Sequence, residues 1–437
     1  MKHLLIVVFV SGLAGAPLRL HESAFVAGPD GKPAGWTTWS ARAETAPRCF
    51  VDRLRFRNQA GSLAISGNSN LAEHGGWERL VPGIEAGAWY RFTAHYRTEA
   101  VAHESLQVLA RLDWRDARNR RAGEPDYVYK ARREGAWTRV AIDTQSPEKA
   151  AAVTLQLYLS NAPLGTVWWD DITLEQIPAP APRKVTIASI NLRPQGTKSA
   201  AESVRRFVET VESAVKEKTD IILLPEGITV VGTGKTYADV SETIPGPTTA
   251  TLAELAKKRN SYVAAGIYER EGQVLYNTAV LIDRAGNLIG KYRKVYVPRG
   301  EIEGGLTPGH DFPVFQTDFC VLGLMICYDF FFPDPAQALA SKGAEIILMP
   351  IWGGNETLAK ARAIENKVYL VASGYDHPTY IMDPDGERLA SAPANGTAAV
   401  ATIDLTRRFL AQYLGDMHGR RMKELRLDLK PPLPGFE

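Results

Sequence analysis

The chain of 437 residues is poor in cysteine, with three, in histidine, with eight, and in methionine, with six. Cys49, Cys320 and Cys327 build no disulfide framework, and one of them stays unpaired unless it pairs between chains. No Cys/His cluster has the spacing of a zinc site. Charge of one sign is missing too. Lys+Arg 51 against Asp+Glu 49 leaves +2, with no electrostatic footprint for nucleic acid. No apolar run approaches the roughly 20 residues that span a bilayer. What is present is a 45% hydrophobic, 23% charged composition, ordinary for a folded globular protein. At roughly 100–200 residues per domain, the length allows two or three domains.

Met1-Lys2-His3, the apolar run Leu4–Val10 and the small residues up to Ala16 read as a secretory signal peptide, 1–16. That reading implies export, periplasmic or secreted, although Pro17 is a poor residue for cleavage. Further on, Ile177-Pro-Ala-Pro-Ala-Pro-Arg183 lacks backbone donors at its prolines and favours an extended spacer, so 179–183 is the expected linker. Composition changes across it. Eight of the nine tryptophans precede it and only Trp352 follows.

Before the linker, short alternating runs recur at 62–66, 89–96, 107–112, 138–142, 153–158 and 166–170, separated by Gly, Pro and Asn. This is the pattern of an antiparallel β-sandwich, expected over 20–178. After the linker the texture is α/β. Strands are expected at 184–190, 220–225, 262–268, 279–282, 321–326 and 345–349, with helices at 199–218 and 248–259. Strands alternating with helices imply sheets covered by helices. Three of these strands run directly into Pro225-Glu226-Gly227, Cys327-Tyr328-Asp329 and Pro350-Ile-Trp352-Gly-Gly354. Sites in open α/β sheets form beyond the carboxyl ends of strands, which makes Glu226 and Cys327 candidates. A carboxylate after four buried aliphatics is costly unless paired or raised in pKa, and a raised carboxylate suits a general base for a thiol.

The segment before the linker resembles jelly-roll carbohydrate-binding modules, through Pro82-Gly83 ahead of an aromatic strand and the closing Val167-Trp-Trp-Asp-Asp-Ile172. The resemblance implies a possible glycan partner, and it makes Asp171 a candidate for a structural calcium. For any single tryptophan, filling the core is the better reading.

Leu224-Pro-Glu226, Lys291-Tyr-Arg-Lys294-Val-Tyr-Val-Pro298, Thr307-Pro-Gly309 and Gly323-Leu-Met-Ile-Cys327-Tyr-Asp329 resemble the nitrilase, or carbon–nitrogen hydrolase, superfamily. The likeness continues through Gly343–Pro350 and Arg362–Asn366 to Asp383-Pro-Asp-Gly386. It implies a four-layer α-β-β-α sandwich, expected over 184–437, that forms a homodimer or higher homo-oligomer, in part through the tail Leu425–Glu437. It also implies a catalytic triad of Glu226 as general base, Lys294 for the oxyanion and Cys327 as nucleophile, assisted by the backbone N–H of Tyr328. Lys291 is the competing ammonium. A second, supporting glutamate is either Glu303, preferred for its closeness to Pro308-Gly309, or Glu301. No metal or organic cofactor is implied.

Tyr328-Asp329 after the cysteine, where nitrile-cleaving relatives tend to carry Trp-Glu, points to a small linear amide or N-carbamoyl substrate. Phe330-Phe331-Phe332, with Trp352 and Tyr276, implies an apolar, aromatic pocket. The alternatives are nitrile hydrolysis or acyl transfer on the same triad. A further one, from another class, is a glycan- or surface-binding protein whose hydrolase domain is secondary or inactive. Gly232-Thr-Gly-Lys-Thr236 tempts toward a phosphate loop, but Thr229 stands where the pattern needs glycine.

Overall fold

The structure, a computed structural model, describes residues 18–375, 378–426 and 428–429. The expected signal peptide 1–16 and most of the tail Leu425–Glu437 lie outside them. The chain forms two compact units. One holds the described residues up to Pro180 together with those from Leu410 on, and the other is Ala181–Phe409.

The first unit is built on two antiparallel sheets. One orders Arg48–Asp52, Ser62–Ser66, Thr166–Ile177, Trp89–Glu99, Trp137–Gln145 and Lys130–Glu134, with Arg19–Glu22 also paired to Thr166–Ile177. The other orders Thr37–Ser40, His74–Pro82, Ala152–Ser160, Val108–Arg115 and Asp126–Tyr127. Alternation sends every second side chain inward, so Leu63, Trp77, Phe92, Trp114, Leu155 and Trp169 share one core. Burying each large side chain contributes about 1.5–3 kcal/mol. Trp36, Trp77, Trp114, Trp137, Trp168 and Trp169 are buried, Trp89 is half-buried and Trp39 is exposed.

Asp171, the calcium candidate, spends its Oδ2 on the Arg57 guanidinium at 2.5 Å and on Asn58 at 2.6 Å. A metal would have to displace that ion pair. Among the described residues no group of His, Cys, Asp and Glu is arranged to hold a metal ion. No described helix is long and apolar enough to cross a membrane.

The C-terminal boundary differs from the expected 437. From Leu410 the chain belongs to the sandwich unit, where Gly419 of the helix Met417–Glu424 packs on Tyr127 and Tyr129. Lys423 of the same helix is buried and donates to the Val108 carbonyl at 3.2 Å. This polar segment carries no apolar stripe that would have assigned it a partner.

The second unit has two six-stranded sheets. One orders Leu288–Arg293, Val274–Ile282, Tyr262–Glu271, Ile221–Leu223, Lys184–Asn191 and Thr397–Asp404. The other orders Val314–Gln316, Val321–Leu324, Ile346–Pro350, Tyr369–Ser373, Tyr380–Met382 and Arg388–Ser391. Ile187, Ile221, Leu223 and Ala264 of the first meet Leu322, Leu324, Ile347 and Val371 of the second in one core. Two buried serines latch the sheets, Ser189 donating to the Ala372 carbonyl at 2.7 Å and Ser373 to that of Ile190 at 2.6 Å. The outer face of the first sheet packs Ile222, Leu224 and Val263 on Phe207 and Val211 of Ala200–Ala214 and on Leu252 of Pro247–Arg259. Ser199 caps the first of these helices by accepting from the Glu202 N–H. Asp334–Ser341 and Glu356–Asn366 cover the second sheet through Leu339 and Ala363. Strands covered on both faces need continuous apolar sequence, which is why these runs are unbroken.

Candidate active site

Glu226 follows the strand Ile221–Leu223 and is 2% exposed. Its turn is pressed against the neighbouring strand: a Cβ at Gly266 would lie 2.6 Å from the Glu226 Cα, so only glycine fits there. Cys327 follows Val321–Leu324 and opens the short 3-10 helix Cys327–Phe331 with φ +41. A non-glycine residue held there costs about 1–3 kcal/mol, repaid where a side chain must be aimed. Asp329 holds the turn. Its carboxylate accepts from the N–H of Ile326 at 2.8 Å, the N–H of Tyr296 at 2.9 Å and the Tyr292 hydroxyl at 2.7 Å. One buried carboxylate therefore ties the cysteine turn to the lysine segment, and burial raises it to about 6.

Lys294 lies just past Leu288–Arg293 and is 1% exposed. Its Nζ donates to Glu226 Oε1 at 2.9 Å and to Glu301 Oε1 at 2.6 Å. These bonds use two of its three protons. Burial works against the ammonium, but Glu226, Cys327 and Glu301 together hold its pKa above the usual lysine range. Lys291, the competitor, projects from the other face of the sheet, where it and Arg293 pair with the buried Glu269.

Of the two candidate glutamates the structure brings Glu301 to the site and not Glu303. The segment that carries both is the short helix Arg299–Glu303, and residues two apart on a helix do not share a face. Glu303 is at the surface, paired with Arg299 at 2.9 Å. Burial raises the Glu301 pKa, with Lys294 opposing the rise and Glu226 adding to it.

The Cys327 thiol is half-buried and touches the Gly353 carbonyl at 3.6 Å. Burial first, and then the charge of Glu226, push it up to about 12, with Lys294 and the backbone N–H of Trp352 opposing. It is therefore a neutral thiol that needs a base. Glu226 offers one. Its Oε2 is buried with no hydrogen-bond partner among the described residues, while Oε1 is claimed by Lys294 and Asn277.

Trp352 stands beside the thiol through its backbone, and its ring meets Tyr375 edge-on at 4.9 Å between centroids. The Tyr375 hydroxyl in turn donates to the Glu226 carbonyl. Tyr328 follows Cys327 in the first turn of its helix, where backbone N–H groups have no acceptor within the helix. Its ring lies 5.3 Å from that of Phe331 and 5.5 Å from that of Phe332, which stacks on Tyr296 at 4.0 Å. Tyr276, expected to line the pocket, instead carries the Arg293 guanidinium 3.8 Å over its ring on the opposite side of the strand from Asn277.

Sequence reasoning missed Asn277. It is fully buried and donates to Glu226 Oε1 at 2.7 Å and to Glu301 Oε2 at 3.3 Å. The usable signal was its parity with Ala279 and Leu281, a polar residue on the core-facing side of an apolar strand.

With this geometry in view, the carbon-nitrogen hydrolase model matches residues 186–411, and the chain belongs to that family. Bovine (Bos taurus) omega-amidase NIT2 is 32% identical over 249 residues, 50% of this chain and 88% of the relative. A Pyrococcus abyssi nitrilase is 34% identical over 245 residues, 51% of this chain and 90% of that protein. Among solved structures, Saccharomyces cerevisiae Nit3, described as a member of branch 10 of the nitrilase superfamily, aligns at 25% identity with TM-score 0.47, over 51% of this chain and 90% of that one.

Proposed function

We propose that the protein hydrolyses the C–N bond of a small linear amide or N-carbamoyl compound through a Cys327 thioester. The observation that carries this reading is the unclaimed Glu226 Oε2 beside a thiol that burial keeps protonated. Cys327 Sγ attacks the substrate carbonyl carbon as its proton passes to Glu226. The carbonyl electrons move to oxygen, and that oxyanion meets the third N–H of Lys294 and the backbone N–H of Tyr328. On collapse the C–N bond breaks, and the leaving nitrogen takes the proton from Glu226 and departs as ammonia or an amine. Water then gives a proton to Glu226 and adds to the thioester. The acid leaves and the thiol recovers its proton.

The relatives include proteins named for amide and for nitrile cleavage. Tyr328-Asp329 after the nucleophile favours amides here, and the rings of Phe331, Phe332 and Tyr296 favour an apolar substituent over a carboxylate. The test is ammonia release from amides, N-carbamoyl amines and nitriles by wild type and Cys327→Ala. Amide turnover lost in the variant is expected. Turnover that persists, or activity confined to carboxylate-bearing amides, contradicts the mechanism or the pocket respectively.

A second reading concerns the first unit. Its seven-stranded sheet carries an open cleft of about 330 Å³, bordered by polar residues, among them Arg57, Asn58, Gln59, Thr93, His95 and Thr173. Clustered donors and acceptors suit a hydroxyl-bearing ligand such as a glycan. Retention on polysaccharide columns that is lost in Asn58→Ala supports it, and absence of retention removes it. Export, which rests on residues 1–16, is tested by N-terminal sequencing of protein recovered outside the cytoplasm.

A further inference from the structure

The buried Glu226, the half-buried Glu301 and one ammonium do not by themselves fix which oxygen serves as base. Glu226 and Glu301 each have two oxygens, and Lys294 can reach only one of each. A further donor in the cluster is the Asn277 side-chain amide. It adds to Glu226 on the oxygen Lys294 already holds, and to Glu301 on the oxygen Lys294 does not hold. Glu301 is thus clamped on both oxygens, and Glu226 on Oε1 alone. The amide has only one sensible orientation, because turning it over would point Oδ1 at two carboxylates. The cost of that orientation is visible: Asn277 Oδ1 is buried with no partner among the described residues, a loss of about 1–3 kcal/mol. The Asn277 backbone carbonyl also accepts the Lys294 N–H at 2.8 Å, so the same residue fixes where the lysine departs from the sheet.

We propose that Asn277 is a positioning residue. By holding Glu226 Oε1 and Glu301 Oε2 together, it reserves Glu226 Oε2 for the Cys327 proton and the third proton of Lys294 for the oxyanion. This rests on the reading of Glu226 as base and Cys327 as nucleophile. Its consequence is that the ease with which Cys327 loses its proton depends on a residue that does not touch the thiol.

The test needs no knowledge of the physiological substrate. The full-length protein is treated with iodoacetamide across pH, and carboxamidomethylation is read at the Cys327 peptide by mass spectrometry, beside Cys49 as an internal reference. Asn277→Asp, nearly isosteric, puts a third carboxylate against Glu226 and Glu301, and the cluster then keeps a proton to higher pH. Its Cys327 alkylation at neutral pH is expected to fall about tenfold or more, with the half-maximal rate about one pH unit higher. With any amide that turns over, kcat should fall while KM stays within about twofold. In the neutral variant Asn277→Ser, a residue that merely fills the strand would lower the Tm without moving the alkylation profile. Superimposable profiles for folded Asn277→Asp and wild type overturn the proposal. Should Asn277→Asp not fold, Asn277→Ser, which keeps one donor, decides: a smaller shift in the profile is expected, and none overturns the proposal. Wild-type alkylation of Cys327 that is unaffected by Glu226→Gln instead sinks the base–nucleophile reading, and this proposal with it.

Discussion

The sandwich and the hydrolase unit both bury charge, and they treat it differently. In the sandwich Arg57 pairs with Asp171 at 2.5 Å and with Glu134 at 3.2 Å, and its backbone N–H donates to Asp170 at 2.6 Å. Asp170, raised to about 6 chiefly by burial, also accepts the Asp171 N–H. Three carboxylates share this one arginine, and each Asp oxygen in contact with it or its loop is held by an N–H donor. In the hydrolase unit one ammonium serves two carboxylates, and Glu226 Oε2, one Lys294 proton and a neutral thiol are left over. Carboxylate oxygens held by N–H donors build structure, whereas a buried carboxylate oxygen left without a donor is available for chemistry.

The sharpest way to break this contrast is Lys294→Met. It removes the ammonium between the buried Glu226 and the half-buried Glu301, and the expected cost is about 3–5 kcal/mol in the hydrolase unit. Turnover should fall by more than about 100-fold. A calorimetric profile that leaves the hydrolase transition in place would mean Glu226 and Glu301 are not coupled through the lysine. Next in size, Trp77→Ala in the sandwich core should cost about 3–5 kcal/mol in that unit and leave kcat unchanged. One merged transition, shifted as a whole, would erase the distinction between the units. Glu301→Gln should lower kcat/KM by about 10–100-fold, since it keeps the shape and loses the charge beside Lys294. Glu303→Gln, at the surface, should change nothing measurable; equal effects would return the supporting role to Glu303.

The smallest effect is a slope. Asp329 is raised to about 6 in the folded protein, while an unfolded aspartate stays ionised down to about 4. Between these values the folded state binds the additional proton. The penalty for this carboxylate is therefore full above pH about 6 and is relieved as pH falls toward 4. Asp329→Asn removes that relief, and Tm followed across the window should lose the corresponding upward trend toward acid pH. An unchanged slope assigns the trend to other groups.

What the sequence made legible follows the same division. Glu226, Lys294 and Cys327 were readable because each sits at a strand end inside an ordered set of motifs, and the strands behind them are unbroken apolar runs. Glu301 was not separable from Glu303, because five residues opening on Arg299-Gly300 carry too little pattern to reveal one helical turn. Asn277 was hidden by an otherwise ordinary strand. The edge strands Arg388–Ser391 and Val314–Gln316 are too short to show a period. The return of the chain from Leu410 to the sandwich rests on Gly419 against tyrosines and a buried Lys423, contacts that no local pattern encodes.

On the proposed mechanism Cys327 carries the acyl group. This is tested most directly by acid-quenching the enzyme during turnover of the best amide and weighing the Cys327 peptide. A mass increase equal to the acyl group is expected on that peptide, released by hydroxylamine and absent from Cys327→Ala. Turnover with no adduct at Cys327, and of equal rate in Cys327→Ala, would contradict it.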